Sequence, residues 1–174
     1  MSVSAPEAAG MPPREVVRRA VHFQGPDRLP LRFRSLGLDD THHVATNAQG
    51  TGDHALRQTM DEWGCVWENI QEGMEAIVTH HPVQSEADVF SLQIPDNRDG
   101  RLPHGFMYLR LLDLCGFELA MELFAEEGEA LCTLIDKVLQ YNLIQLEAAL
   151  PRMGPIVYLG DDLGMQTGLA IGPH

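Results

Sequence analysis

The residues of this chain best suited to chemistry are a pair of adjacent aspartates, two alternate arginines and scattered histidines. Asp161 and Asp162 lie in Gly160-Asp-Asp-Leu-Gly164, directly after the apolar run Pro155–Leu159. Neighbouring side chains on extended backbone point to opposite faces, so only one of the two enters a pocket and they are not a proton-sharing dyad. Such an aspartate either faces a pocket or caps a following helix. Gln166, five residues beyond Asp161, is a pocket hydrogen-bond donor or a plain loop residue. Arg32 and Arg34 fall on one face of Leu29–Arg34 by the period of two. There they suit bidentate binding of substrate carboxylates, or serve as solvated charges on an edge strand. His104 precedes Gly105 at a helix start and is a pocket or turn residue. The pairs His42-His43 and His80-His81 diverge on an extended chain, which is poor geometry for chelating one ion, so no metal site is expected.

Composition narrows the partners. The formal net charge is -13, which repels phosphate backbones and argues against nucleic acid. An anionic substrate then needs a local cluster of arginines. No apolar run approaches the ~20 residues of a membrane span. Cys65, Cys115 and Cys132 are far apart and odd in number, which points away from a disulfide scaffold and toward a reducing, cytoplasmic setting. Residues 1–11 lack a basic cluster and a continuous apolar stretch and read as a disordered leader rather than a signal peptide. Residues 12–174 read as one domain with no internal boundary.

The elements that must position these side chains follow from periodicity. Pro12-Pro13 opens a helix whose apolar stripe, Val16, Val17, Ala20, Val21 and Phe23, ends at Gly25-Pro26. Leu29–Arg34 reads as a first strand, and residues 36–57 as a long loop with a short helix around Asp53–Met60. Asp61–Trp67 and Met74–Thr79 are extended pieces around Gly73 that suit a hairpin. Trp63 and Trp67 share a face and belong to a core. Ser85-x-x-Asp88 resembles a capping box and introduces a short helix through Leu92. Pro103–Leu112 and Gly116–Phe124 are helical pieces split near Cys115-Gly116, and Glu129–Leu150 is a long amphipathic helix stopped by Pro151. Pro155–Leu159 then reads as a buried strand, which makes helix, strand and loop the αβ half of a βαβ unit.

Several segments together resemble a known family. They are Pro13-Arg-Glu-Val, Pro26-Asp-Arg-Leu-Pro30, Asp61-Glu-Trp-Gly-Cys-Val-Trp67, His80-His-Pro82, Ile94-Pro-Asp96, Leu102-Pro-His-Gly-Phe106, Leu109-Arg110, Leu114-Cys-Gly-Phe-Glu118 and Tyr158–Gln166 with Thr167-Gly-Leu169. In this order, over about residues 12 to 172, they resemble the uroporphyrinogen-decarboxylase-like proteins. Where the decarboxylases carry Arg-Gln-Ala-Gly-Arg on the first strand, this chain carries Arg34-Ser-Leu-Gly-Leu38. The resemblance implies an α/β fold, the first, open half of a (β/α)8 TIM-type barrel with an N-terminal helix and a β-hairpin.

It also implies cofactor-independent decarboxylation of acetate side chains on a tetrapyrrole or related small molecule, as in porphyrin biosynthesis. Asp161 and Asp162 would be the catalytic carboxylates, and Arg32, Arg34, His104 and Gln166 the substrate-binding residues. Two alternatives stand beside it. One is a relative of corrinoid-linked zinc methyltransferases; here none of Cys65, Cys115 and Cys132 has a histidine two residues away. The other is a truncated, catalytically inactive chain. Since such barrels typically need ~250 residues, the expectation is a chain that is marginal alone and pairs with a second copy, as a homodimer, or with a complementing C-terminal half.

Overall fold

The computed structural model describes residues 10–41, 58–102, 105–153 and 156–172. It divides into two compact units, Met1–Ala45 with Arg152–Tyr158, and Thr46–Pro151 with Leu159–His174. The fold is mixed α/β. Among the described residues its strands form three small antiparallel sheets and no closed barrel.

In the first unit, helix α1 (Pro13–Val21) starts on a proline and buries Val16 and Val17. It stops earlier than its apolar pattern suggests. Phe23 adopts a left-handed φ of 54°, and Gln24 N–H reaches back to the Arg19 carbonyl at 2.8 Å, a Schellman-type ending. Phe23 therefore leaves the stripe and is 95 % exposed. The expected first strand is also shorter. Only Arg32–Phe33 (β1) is extended, paired antiparallel with Leu38–Asp39 (β2), while Arg34–Leu36 forms a 3-10 turn between them. The hairpin is closed by buried Asp40, whose carboxylate accepts from Leu31 N–H at 3.0 Å and from Arg28 at 2.5 Å.

In the second unit, β3 (Gln58–Met60), β4 (Val66–Glu68) and β5 (Ile77–His80) make an antiparallel meander. The β4–β5 hairpin matches the sequence expectation. Gln58–Met60 does not, being a strand where a helix was expected; residues 53–57 lie outside the described residues. Helix α2 (Glu86–Ser91) starts at the Ser85/Asp88 pair, where Asp88 accepts from the Ser85 hydroxyl at 2.8 Å and from Gln84 N–H at 3.1 Å.

Helices α3 (Tyr108–Glu126) and α4 (Glu129–Ala149) supply most of the core, with Leu111, Leu114, Leu134 and Val138 buried against Trp63, Cys65, Val83 and Val89. Trp63 meets the Tyr141 ring edge-on at 5.2 Å. Lys137 of α4 donates to the carbonyls of Val89, Phe90 and Leu92 and so satisfies the end of α2. Buried Gln145 pins the turn before α3 by accepting from Gly100 N–H and donating to the Asn97 carbonyl.

After a 3-10 turn at Leu150–Arg152, the chain reaches the segment expected to be a buried strand. Residues 156–159 pair with no strand among the described residues, and Val157, Tyr158 and Leu159 are 37 %, 44 % and 46 % exposed. A buried parallel strand needs a neighbour on each side, and the described strands offer only short antiparallel hairpins. Beyond it, β6 (Gly164–Met165) and β7 (Gly168–Leu169) form a tight hairpin around Gln166-Thr167.

Candidate functional site

The start of α3 exposes backbone N–H groups with no partner inside the helix. Asp161 takes three of them: its Oδ2 accepts from Met107 at 2.8 Å and Tyr108 at 2.5 Å, and its Oδ1 from Leu109 at 2.9 Å. The neighbouring Gly160 carbonyl accepts from Gly105 and Phe106, both at 3.0 Å. Five consecutive amides, 105–109, thus close on two residues about fifty positions later in the chain. Gly105 permits this approach, since its φ is 76° and a Cβ there would lie 2.7 Å from that of Leu109.

Below that cap, α3 breaks. Gly116 has φ 74° and ψ 167°, a conformation essentially restricted to glycine. The break frees the Asp113 and Leu114 carbonyls from their helical partners, and the sheet side of the unit fills the gap. Val83 N–H donates to Leu114 O at 3.0 Å, while His81 Nδ1 and Cys65 Sγ meet Asp113 O at 2.8 and 3.3 Å. A Cβ at position 116 would lie 3.2 Å from the His81 ring. Gly116→Ala is therefore expected to destabilise the protein by about 2 kcal/mol, combining backbone strain with displacement of His81. A shift of the urea midpoint measures it, and an unchanged midpoint would mean that the break is not held as described.

A buried charge cluster sits against the same break. Arg110 Nη1 lies 3.1 Å from Asp61 Oδ2 and 3.6 Å from Asp113 Oδ2. The Arg110 and Asp61 side chains are each 3 % exposed. Asp61 also accepts from Trp63 N–H at 3.0 Å, Cys65 N–H at 2.9 Å and the Trp67 indole at 3.0 Å. Burial pushes the Asp113 carboxyl up to about 6; Asp61 and Asp161 add to the shift, and Arg110 and His81 oppose it. Burial, with Asp61, pushes the Cys65 thiol up beyond its ordinary range, and burial alone pushes Cys115 up to about 11. Neither thiol is a ready nucleophile at neutral pH.

The residues singled out from sequence have separate fates. Asp161 turns inward to the α3 start, whereas Asp162 is exposed, so the two diverge as extended geometry requires. Asp161 caps a helix that precedes it, not one that follows. Gln166 is exposed at the β6–β7 turn. Arg32, in the first unit, stacks its guanidinium 5.2 Å above the Tyr158 ring. The backbone of Arg34 belongs to the 3-10 turn rather than to β1; its side chain, His104 and the pair His42-His43 lie outside the described residues. His80 is exposed and His81 half-buried at the α3 break.

Sequence reasoning missed Asp61, Arg110 and Asp113 as a group. The available signal was an arginine and an aspartate at i, i+3 spacing inside the leucine-rich run Leu109–Leu114.

An open cavity of about 530 Å³ is lined by Phe124, Ala125, Glu127, Leu131, Ile171 and Gly172, and none of the clustered charges borders it. Among the described residues no group of three His, Cys, Asp or Glu side chains is arranged to hold a metal ion. No helix among them is long and apolar enough to cross a membrane. Comparison of the chain with protein-family models, with curated proteins and with solved structures gives no match.

Proposed function

We propose that this chain is a uroporphyrinogen-decarboxylase-like protein, part of a (β/α) barrel that decarboxylates a tetrapyrrole or a related small polycarboxylate without a cofactor. The observation that carries the reading is the join between Gly160-Asp161 and the start of α3. In such barrels the carboxyl ends of the strands and the loops leading into the helices share one face, where catalysis occurs. In this reading residues 156–159, which pair with no strand among the described residues, would be a barrel strand, with Gly160-Asp161 at its carboxyl end fastened to a helix N-terminus. The ordered run of motifs along residues 12 to 172 supports the same reading.

The reaction protonates the electron-rich pyrrole, so positive charge develops on the ring. The acetate C–C bond then breaks to release CO2, a proton adds at the remaining methylene to make the methyl, and the ring returns its extra proton. A carboxylate beside the ring stabilises the charged stage. Asp161, held by three amides at the start of α3, and exposed Asp162 are the carboxylates proposed for that role. Arg32, Arg34, His104 and Gln166 are the residues proposed to hold the substrate's carboxylates.

The test is anaerobic incubation of purified protein with uroporphyrinogen, followed by oxidation and chromatographic separation of the porphyrins. Stepwise loss of carboxyl groups toward coproporphyrin is the expected result. Unchanged substrate at protein concentrations equal to that of the substrate would remove the reading.

A further inference from the structure

The Asp61, Arg110 and Asp113 cluster has a property independent of any decarboxylase reading. It holds two carboxyl groups and one guanidinium in a site where Asp61 and Arg110 are 3 % exposed and Asp113 is 20 % exposed. The two carboxyl groups are not equivalent. Asp61 accepts from four donors, the amides of Trp63 and Cys65, the Trp67 indole and Arg110. Among the described residues the Asp113 carboxyl accepts no hydrogen bond and meets Arg110 at 3.6 Å. A second negative charge here is poorly compensated, so a proton is held at Asp113.

The main chain of Asp113 is also where α3 is gripped. Its carbonyl accepts from His81 and Cys65, which belong to the sheet side of the unit. We infer that Asp61, Arg110 and Asp113 form a single-proton site, and that exchange of this proton changes how α3 is held against the sheet at the Gly116 break. The groups facing Asp113 from the packed elements are Asp61 and Cys65 from the β3–β4 connection, His81 after β5, Arg110 on α3 itself, and Asp161 from the segment before β6. Burial, the largest influence, outweighs the nearby Arg110 and sets the exchange at about 6.

The direction follows from linkage. The folded chain holds the proton more tightly than the unfolded chain, whose aspartate has the ordinary value of 3.8. Stability is therefore greater at acid pH and is lost as pH rises through the window from about 4 to about 6. Release of the proton leaves a half-buried charge beside Asp61 and loosens the grip on the break.

The experiment is a pH titration of the full chain by carbon-detected NMR of aspartate side-chain carboxyls, with the Trp67 indole N–H followed in parallel. One carboxyl is expected to titrate near pH 6 and to vanish in Asp113→Asn; the carboxyl signal distinguishes Asp113 from His81. The Trp67 indole, bonded to Asp61, is expected to move through the same midpoint while the Trp63 indole stays still. The urea midpoint is expected to fall between pH 4 and pH 6 in the native chain and to stay flat across that range in Asp113→Asn. Aspartates that all titrate below pH 5, or a Trp67 indole indifferent to pH 6, would overturn the inference. The indole measurement needs no variant, so it decides the matter even where Asp113→Asn fails to fold.

Discussion

Asp61→Ala is expected to lower the unfolding free energy by about 4 kcal/mol, a large part of the ~5–15 kcal/mol available to an ordinary domain. The loss has two sources. Arg110, 3 % exposed, keeps its charge but loses its 3.1 Å partner, and breaking a buried ion pair from one side costs about 3–5 kcal/mol. The amides of Trp63 and Cys65 and the indole of Trp67 lose their acceptor at the same time. Arg110→Met is expected to cost less, because Asp61 retains its three other donors. The double variant Asp61→Ala with Arg110→Met is expected to recover at least 1 kcal/mol over Asp61→Ala alone, since it removes the buried charge that Asp61 compensated. Urea unfolding followed by far-UV circular dichroism gives all three values. A cost below about 1 kcal/mol for Asp61→Ala would mean that the pair is solvated and the cluster open.

This cluster also marks where sequence reasoning ends. Helix α4 was legible because Leu131, Leu134, Val138 and their successors repeat at helical spacing, and burial of one stripe suffices to fix it. The break in α3 was legible because Gly116 interrupts two apolar runs, and glycine alone takes that backbone conformation without strain. The β4–β5 hairpin was legible from extended runs flanking Gly73. These features are local, so their causes lie within a few residues.

Asp61 and Arg110 meet across 49 positions and Asp161 meets Leu109 across 52. Nothing in the neighbourhood of either partner specifies the other. Residues 156–159 fail for a related reason, since their β-branched and aromatic composition satisfies a strand only where adjacent strands exist to pair with it. Near Arg34 the difference is one of length: the strand spans two residues where the alternating pattern suggests six, because the chain enters a 3-10 turn at Arg34.

Asp161→Ala is expected to cost about 2–3 kcal/mol, more than an ordinary helix cap, for a physical reason visible in its geometry. A single neutral cap contributes about 1 kcal/mol. Here one ionised carboxylate serves three successive amides at 2.5–2.9 Å, and hydrogen bonds to a charged acceptor are roughly twice as strong as neutral ones. The positive end of the α3 dipole adds to the attraction. Asp161→Asn keeps the shape but gives up the charge and one acceptor, so about half the loss is expected.

Asp162→Asn changes an exposed side chain and keeps its shape, so it is expected to shift stability less than Asp161→Asn does. The contrast separates two meanings of the Asp161-Asp162 pair. With decarboxylation as the activity, Asp162→Asn should lower kcat by more than its change in urea midpoint accounts for, whereas Asp161→Asn should lower both together. Equal midpoints for Asp161→Ala and the parent chain would dissolve the cap, and with it the argument that residues 105–109 and 160–161 occupy one end of a common scaffold.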